Sequence, residues 1–122
     1  STFDISFKQG AKINFDELKK KVEDAGFFVA NLSVMINFNN LQVQKDQHIK
    51  YEGMDIHFLN AKGQILNGEQ TIQVVDKGFV SAKAFKKNQL YTTMECYKTG
   101  VAGNCCTKEG LSGNSRIFHV TI

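Results

Sequence analysis

Three cysteines are the residues of this chain best suited to chemistry. Cys105 and Cys106 are adjacent within a glycine-rich stretch, 100–115, and Cys96 lies just ahead of it. Glycine lets backbone approach a ligand closely, and soft thiolates favour Cu(I) or Zn(II). Three sulfurs suit a trigonal Cu(I) site, with His119 and Met94 as candidate additional ligands. No C-x-x-C spacing accompanies them. The simpler outcome ranks first: a structural disulfide from Cys96 to Cys105 or to Cys106, leaving one thiol over. Neighbouring cysteines bridge each other only through a strained ring.

Met54-Asp55-Ile56-His57 is a second cluster of ligand types. In a strand Met54 and Ile56 face one side, Asp55 and His57 the other. Alternation therefore predicts a core methionine and a surface histidine. The carboxylates are scattered, with no pairing that demands a reaction, and Asp16 and Glu17 are explained by a helix N-terminus. Ser112 in Gly110-Leu111-Ser112-Gly113 lacks the nucleophile-elbow spacing. We expect no enzyme. Tyr91, Tyr97, Phe79 and Lys83 are of the types that stack on and neutralise single-stranded nucleic acid, but a net charge of +3 with dispersed lysines argues against that partner.

The elements that must position these residues follow from periodicity. Thr2–Phe7 alternates as a half-buried strand, and Gly10 breaks it. Asn14 caps a helix, Glu17 stands at its N3 position, and Ile13 and Leu18 form a hydrophobic staple. Leu18, Val22 and Ala25 recur at helical spacing, and Gly26 supplies a left-handed stop. Large apolar residues at alternate positions from Phe28 to Phe38 predict a long strand, with a turn or bulge at Asn39-Asn40 before Leu41–Val43. His48–Tyr51 and Met54–Leu59 read as a strand pair, and Asn67-Gly68 as a turn into Thr71–Val75. Ser81 caps a short helix with Ala82 and Phe85 inward, and Leu90–Thr99 and Arg116–Ile122 are the last two strands.

That order from Phe28 onward is the order of an OB-like five-stranded barrel, with an antiparallel sandwich as the alternative. Ten Phe and no Trp place most aromatic mass in a core. At 122 residues the chain fits one domain, or one domain plus a fragment of another. No apolar run is long enough to span a membrane and no signal segment opens the chain, which begins at Ser1 without Met, so we expect sequence to precede it.

Thr2–Val34, and above all Phe15-Asp16-Glu17-Leu18-Lys19-Lys20-Lys21-Val22-Glu23-Asp24-Ala25-Gly26-Phe27, resembles the second half of a heavy-metal-associated domain. That family folds as a ferredoxin-like βαββαβ unit. The metal-binding Cys-x-x-Cys of the family lies in its first half, and no residue here matches it. With the Asp76-Lys77-Gly78-Phe79-Val80-Ser81 phrase behind it, the chain is also similar to envelope proteins of Bacteroidota-type bacteria that carry such a domain in front. The resemblance implies a periplasmic or secreted setting.

The expectation is an α+β, mostly β chain: a partial ferredoxin-like β-α-β segment over 1–33 leading into an OB-like antiparallel barrel over 34–122. Its expected function is a non-enzymatic envelope binding module that handles copper or zinc. The alternative is a structural or protein-interaction module that self-associates through an exposed strand edge.

Overall fold

A computed structural model of the chain describes residues 2–6, 14–27, 29, 31–51, 53–102 and 115–122, the first of these segments as backbone only. Cys105, Cys106, Ser112, Gly10 and Ile13, and with them the three-sulfur site and its competing disulfide, lie outside the described residues.

The helix forms where its caps dictate. α1 spans Phe15–Asp24, and Asn14 Oδ1 accepts from the Glu17 backbone N–H at 2.8 Å. Gly26, at φ +93°, ends it: its N–H donates to Glu23 O and that of Phe27 to Val22 O, the paired bonds of a Schellman cap. Phe15 is fully buried, with Leu18 and Val22 packed on the same core.

β1 (Thr2–Ser6) runs parallel to β2 (Asn31–Val43), so α1 is the crossover of a β-α-β unit. Along β2 the side chains of Leu32, Val34, Ile36 and Phe38 are buried in alternation. The register then shifts between Phe38 and Leu41, where Asn40 takes φ +49°, and Val43 becomes the buried position. One inserted residue inverts the parity of a strand, so the expected bend is a bulge within one strand.

Asn67-Gly68 does not turn the chain as expected. β5 runs unbroken from Gln64 to Val74 against β2, and Gly68, at φ +81°, pairs with Phe38 at the bulge. Asn67 Oδ1 accepts from Asn40 N–H at 3.3 Å, so the residues read as a turn let two paired strands bend together.

β3 (Gln47–Tyr51) and β4 (Met54–Phe58) form the expected hairpin, and β6 spans Ile117–Thr121. The sheet order is β1-β2-β5-β6-β4-β3, with β6 antiparallel to β5 and parallel to β4. The α+β, mostly β expectation holds, as one sheet curled into a half-barrel. The boundary expected after residue 33 falls inside β2, whose strand is continuous there.

Two layers cover the sheet. Leu32, Val34, Ile36, Ile56, Phe58, Ile72, Phe118 and Val120 form the main core with Phe15, whose ring meets Phe118 edge-on at 5.2 Å. On the other face, Leu59, Val75 and Tyr97 make a smaller cluster with Val80 and Phe85, beside another of Cys96, Ala102 and Ile117. Ile117, Phe118, His119 and Val120 are therefore buried in succession, the mark of a strand covered on both faces.

The second layer comes from the excursion between β5 and β6. α2 spans Ala82–Asn88, N-capped by Ser81 as expected, with Phe85 turned inward but Ala82 exposed. Leu90–Thr99 forms no strand. A 3-10 turn, Gln89–Tyr91, leaves Leu90 86% exposed, and α3 (Cys96–Thr99) follows. Cys96 and Tyr97 are adjacent and both buried, one in each of the two smaller clusters. Among the described residues no helix is long and apolar enough to cross a membrane.

Candidate metal centre

Strand register brings three histidines into one row. His48 on β3 pairs with His57 on β4, and His57 pairs with His119 on β6. Residues in register on neighbouring strands project from the same face, so all three rings leave the sheet opposite the main core. Ring centroids are 4.4 Å apart for His48 and His57 and 5.0 Å for His57 and His119.

α3 sets Cys96 over this row. Its sulfur lies 3.3 Å from His119 Nε2, 3.5 Å from His57 Nδ1 and 3.6 Å from His48 Nε2. Cys96, His57 and His119 are fully buried, and His48 is half-buried on the edge strand. The donor atoms of His48, His57 and Cys96 all lie within 4.8 Å of one another.

Two carboxylates stand behind the imidazoles. Asp46 Oδ1 is 2.5 Å from His57 Nε2, and Asp76 Oδ1 is 2.8 Å from His119 Nδ1. A carboxylate at one ring nitrogen holds the proton there, which leaves the lone pair on the other. For both rings that other nitrogen faces Cys96. Burial is the main influence holding the His57 pKa down to about 3, with the neighbouring His119 and His48 adding to it, and Asp46 only partly opposes them. His57 is thus a neutral imidazole at pH 7.

A thiol has one proton to donate. Two lone pairs, those of His57 Nδ1 and His119 Nε2, face that sulfur. A cation seated among these donors would accept both. A tetrahedral ion bound at ~2.3 Å from sulfur and ~2.0 Å from nitrogen places N and S roughly 3.5 Å apart; the Cys96 distances to His48 and His57 match that value, and these are the three donors that lie mutually close, with His119 at the other end of the row.

The surroundings anchor the cluster. Asp76, itself buried, also accepts from the His119 backbone N–H at 2.7 Å, and Arg116 Nη1 approaches its Oδ1 at 3.4 Å. The other nitrogens of Arg116 grip Asp16 on α1 at 2.8 and 3.2 Å, and Nη1 also donates to Gly100 O and Ile117 O. Tyr97 packs edge-on against His119 at 5.0 Å and donates its hydroxyl to Val75 O at 2.6 Å. Burial raises the pKa of that phenol and keeps it protonated.

Of the residues expected to bind metal, Cys96 and His119 come together. Met94 is half-buried and packs against the cluster of Cys96, Ala102 and Ile117. Met54 lies in the main core as alternation predicted. His57 is not the surface histidine that alternation predicted. It does face away from Met54, but that face is roofed by α3 rather than open to water. His48, Asp46 and Asp76 carried no signal in the sequence; spacing along the chain does not report strand register. Comparison with protein-family models, curated proteins and solved structures finds no match for this chain.

Proposed function

We propose that this chain is a transition-metal-binding module whose site is Cys96 with His48, His57 and His119. The observation that carries the reading is the convergence of three imidazole nitrogens on one buried sulfur, with Asp46 and Asp76 orienting two of the rings. Imidazole and thiolate donors suit copper and zinc and disfavour magnesium or calcium. Cys105 and Cys106 lie outside the described residues and Met94 packs beside the Cys96 cluster, so the set proposed here is built on Cys96 and the histidines alone.

The heavy-metal-associated likeness, the envelope setting and the non-enzymatic role belong to the same reading. The parallel β1-α1-β2 arrangement supports a partial ferredoxin-like front, and the curl of the sheet supports an OB-like relation for the rest.

Metal content decides the matter. The reduced, metal-free chain, equilibrated with Zn(II) and freed of excess, is expected to retain one ion per chain by elemental analysis. Cys96→Ser is expected to lose it, and Cys105→Ser/Cys106→Ser to keep it, with circular dichroism checking the fold of each. Retention by folded Cys96→Ser, or no uptake by the wild type, overturns the assignment.

A further inference from the structure

A buried donor set of one thiolate and three imidazoles can serve as a structural staple, a carrier of metal cargo or a redox centre. The fold argues against a staple. The main core lies on the opposite face of the sheet, and the excursion carrying Cys96 has its own anchors: Tyr97 to Val75 O, Phe85 stacked on Tyr97 at 4.6 Å, and Ile117 N–H to Gly100 O at 2.9 Å.

Cargo transfer needs donors that a partner can reach and displace. Three of the four are fully buried here, two sit on adjacent, hydrogen-bonded strands, and both of those are held from behind by carboxylates. The geometry suits a resident ion. Its three histidines stand in a registered β-row and Cys96 sits on the short helix α3 anchored over it, so the donors keep their places whatever the charge on the metal.

Copper fits that constraint in both oxidation states. Among first-row divalent ions Cu(II) binds N/S sites most tightly, imidazole suits Cu(II), and thiolate suits Cu(I). His48 is the one ligand with partial exposure, on edge strand β3, and so offers the route between ion and surface.

We propose, on the basis of the metal-binding reading above, that the site holds a resident copper ion that shuttles one electron. A one-electron carrier reduces Cu(II) to Cu(I), and a one-electron acceptor takes the electron back. The Cys96 thiolate and the neutral imidazoles stay bound throughout; no bond to substrate forms and no proton moves.

The test uses the full chain, reduced and metal-free, under nitrogen. One equivalent of Cu(II) is expected to give an intense visible thiolate-to-copper charge-transfer band, bleached by one equivalent of ferrocyanide-type one-electron reductant and restored by the matching oxidant. The band is expected to persist in Cys105→Ser/Cys106→Ser and to vanish in Cys96→Ser. Co(II) serves as the control for binding itself. If Co(II) binds one to one with its own thiolate band while Cu(II) gives no band, or is reduced with loss of the thiol, the redox inference falls and the metal-binding reading stands. If neither ion binds, both fall. A copper band in Cys96→Ser refutes the assigned sulfur.

Discussion

Asp76→Asn removes one charge and little volume, and the structure gives a size for its effect. The carboxylate accepts from the His119 backbone N–H at 2.7 Å, faces His119 Nδ1 at 2.8 Å and lies 3.4 Å from Arg116 Nη1, while itself buried. An amide retains one acceptor oxygen and turns an NH2 toward a second donor. The loss is then one charge-assisted hydrogen bond, about 1.5–3 kcal/mol, plus an unpaired buried donor. We expect roughly 3–4 kcal/mol in all, within the range for breaking a buried charged pair. With a urea slope of about 2 kcal/mol/M, the midpoint falls by roughly 1.5–2 M. Because Asp76 holds the His119 tautomer, metal affinity should also drop about 10–100-fold. Asp16→Asn, at the exposed end of the same Arg116 fork, is the control and should cost under ~1 kcal/mol. A midpoint shift for Asp76→Asn no larger than that of Asp16→Asn would show that the buried carboxylate does not hold this face of the sheet.

Stability should fall with acid through His57. Its pKa is about 3 folded against 6.5 in an unfolded chain, so below pH 6.5 the unfolded state takes up a proton that the folded state refuses. Between pH 6.5 and 4.5 that amounts to roughly 2–3 kcal/mol, read as a falling urea midpoint for the metal-free protein; a flat midpoint over that interval contradicts a neutral, buried His57. Phe15→Ala empties a fully buried site against Phe118 and should cost about 3–5 kcal/mol, a drop in Tm of roughly 10–20 °C by calorimetry. A drop under a few degrees means that α1 is not part of the core. Gly100→Ala places a methyl 2.6 Å from Arg116 Nη1 at a φ of +78°. A destabilisation of ~2 kcal/mol should follow as Arg116 leaves Gly100 O, and wild-type stability would show that this turn tolerates a side chain.

Much of the fold was legible because it is local. Asn14, Gly26 and Ser81 act on backbone groups within a turn of themselves, so the two helices they bound lie where the sequence predicts them. Alternation from Leu32 to Phe38 reports one buried face, and Asn39-Asn40 reports a break in parity. Asn67-Gly68 was misread because positive φ serves a bulged strand as well as a turn, and only the partner strand decides between them. Leu90–Thr99 was misread because apolar spacing cannot tell whether a sheet has room for another strand; β6 already fills the place between β5 and β4.

The sequence by itself determined the residue types that can hold a metal, the caps and breaks, and the apolar face of each long strand. Only the tertiary structure decided which of those residues meet. His48, His57 and His119 share a site because strand register aligns them across β3, β4 and β6, and register is set by pairings between distant segments. Cys96 joins them because one turn of helix, closed by Gly100, roofs a face that alternation alone would leave in water.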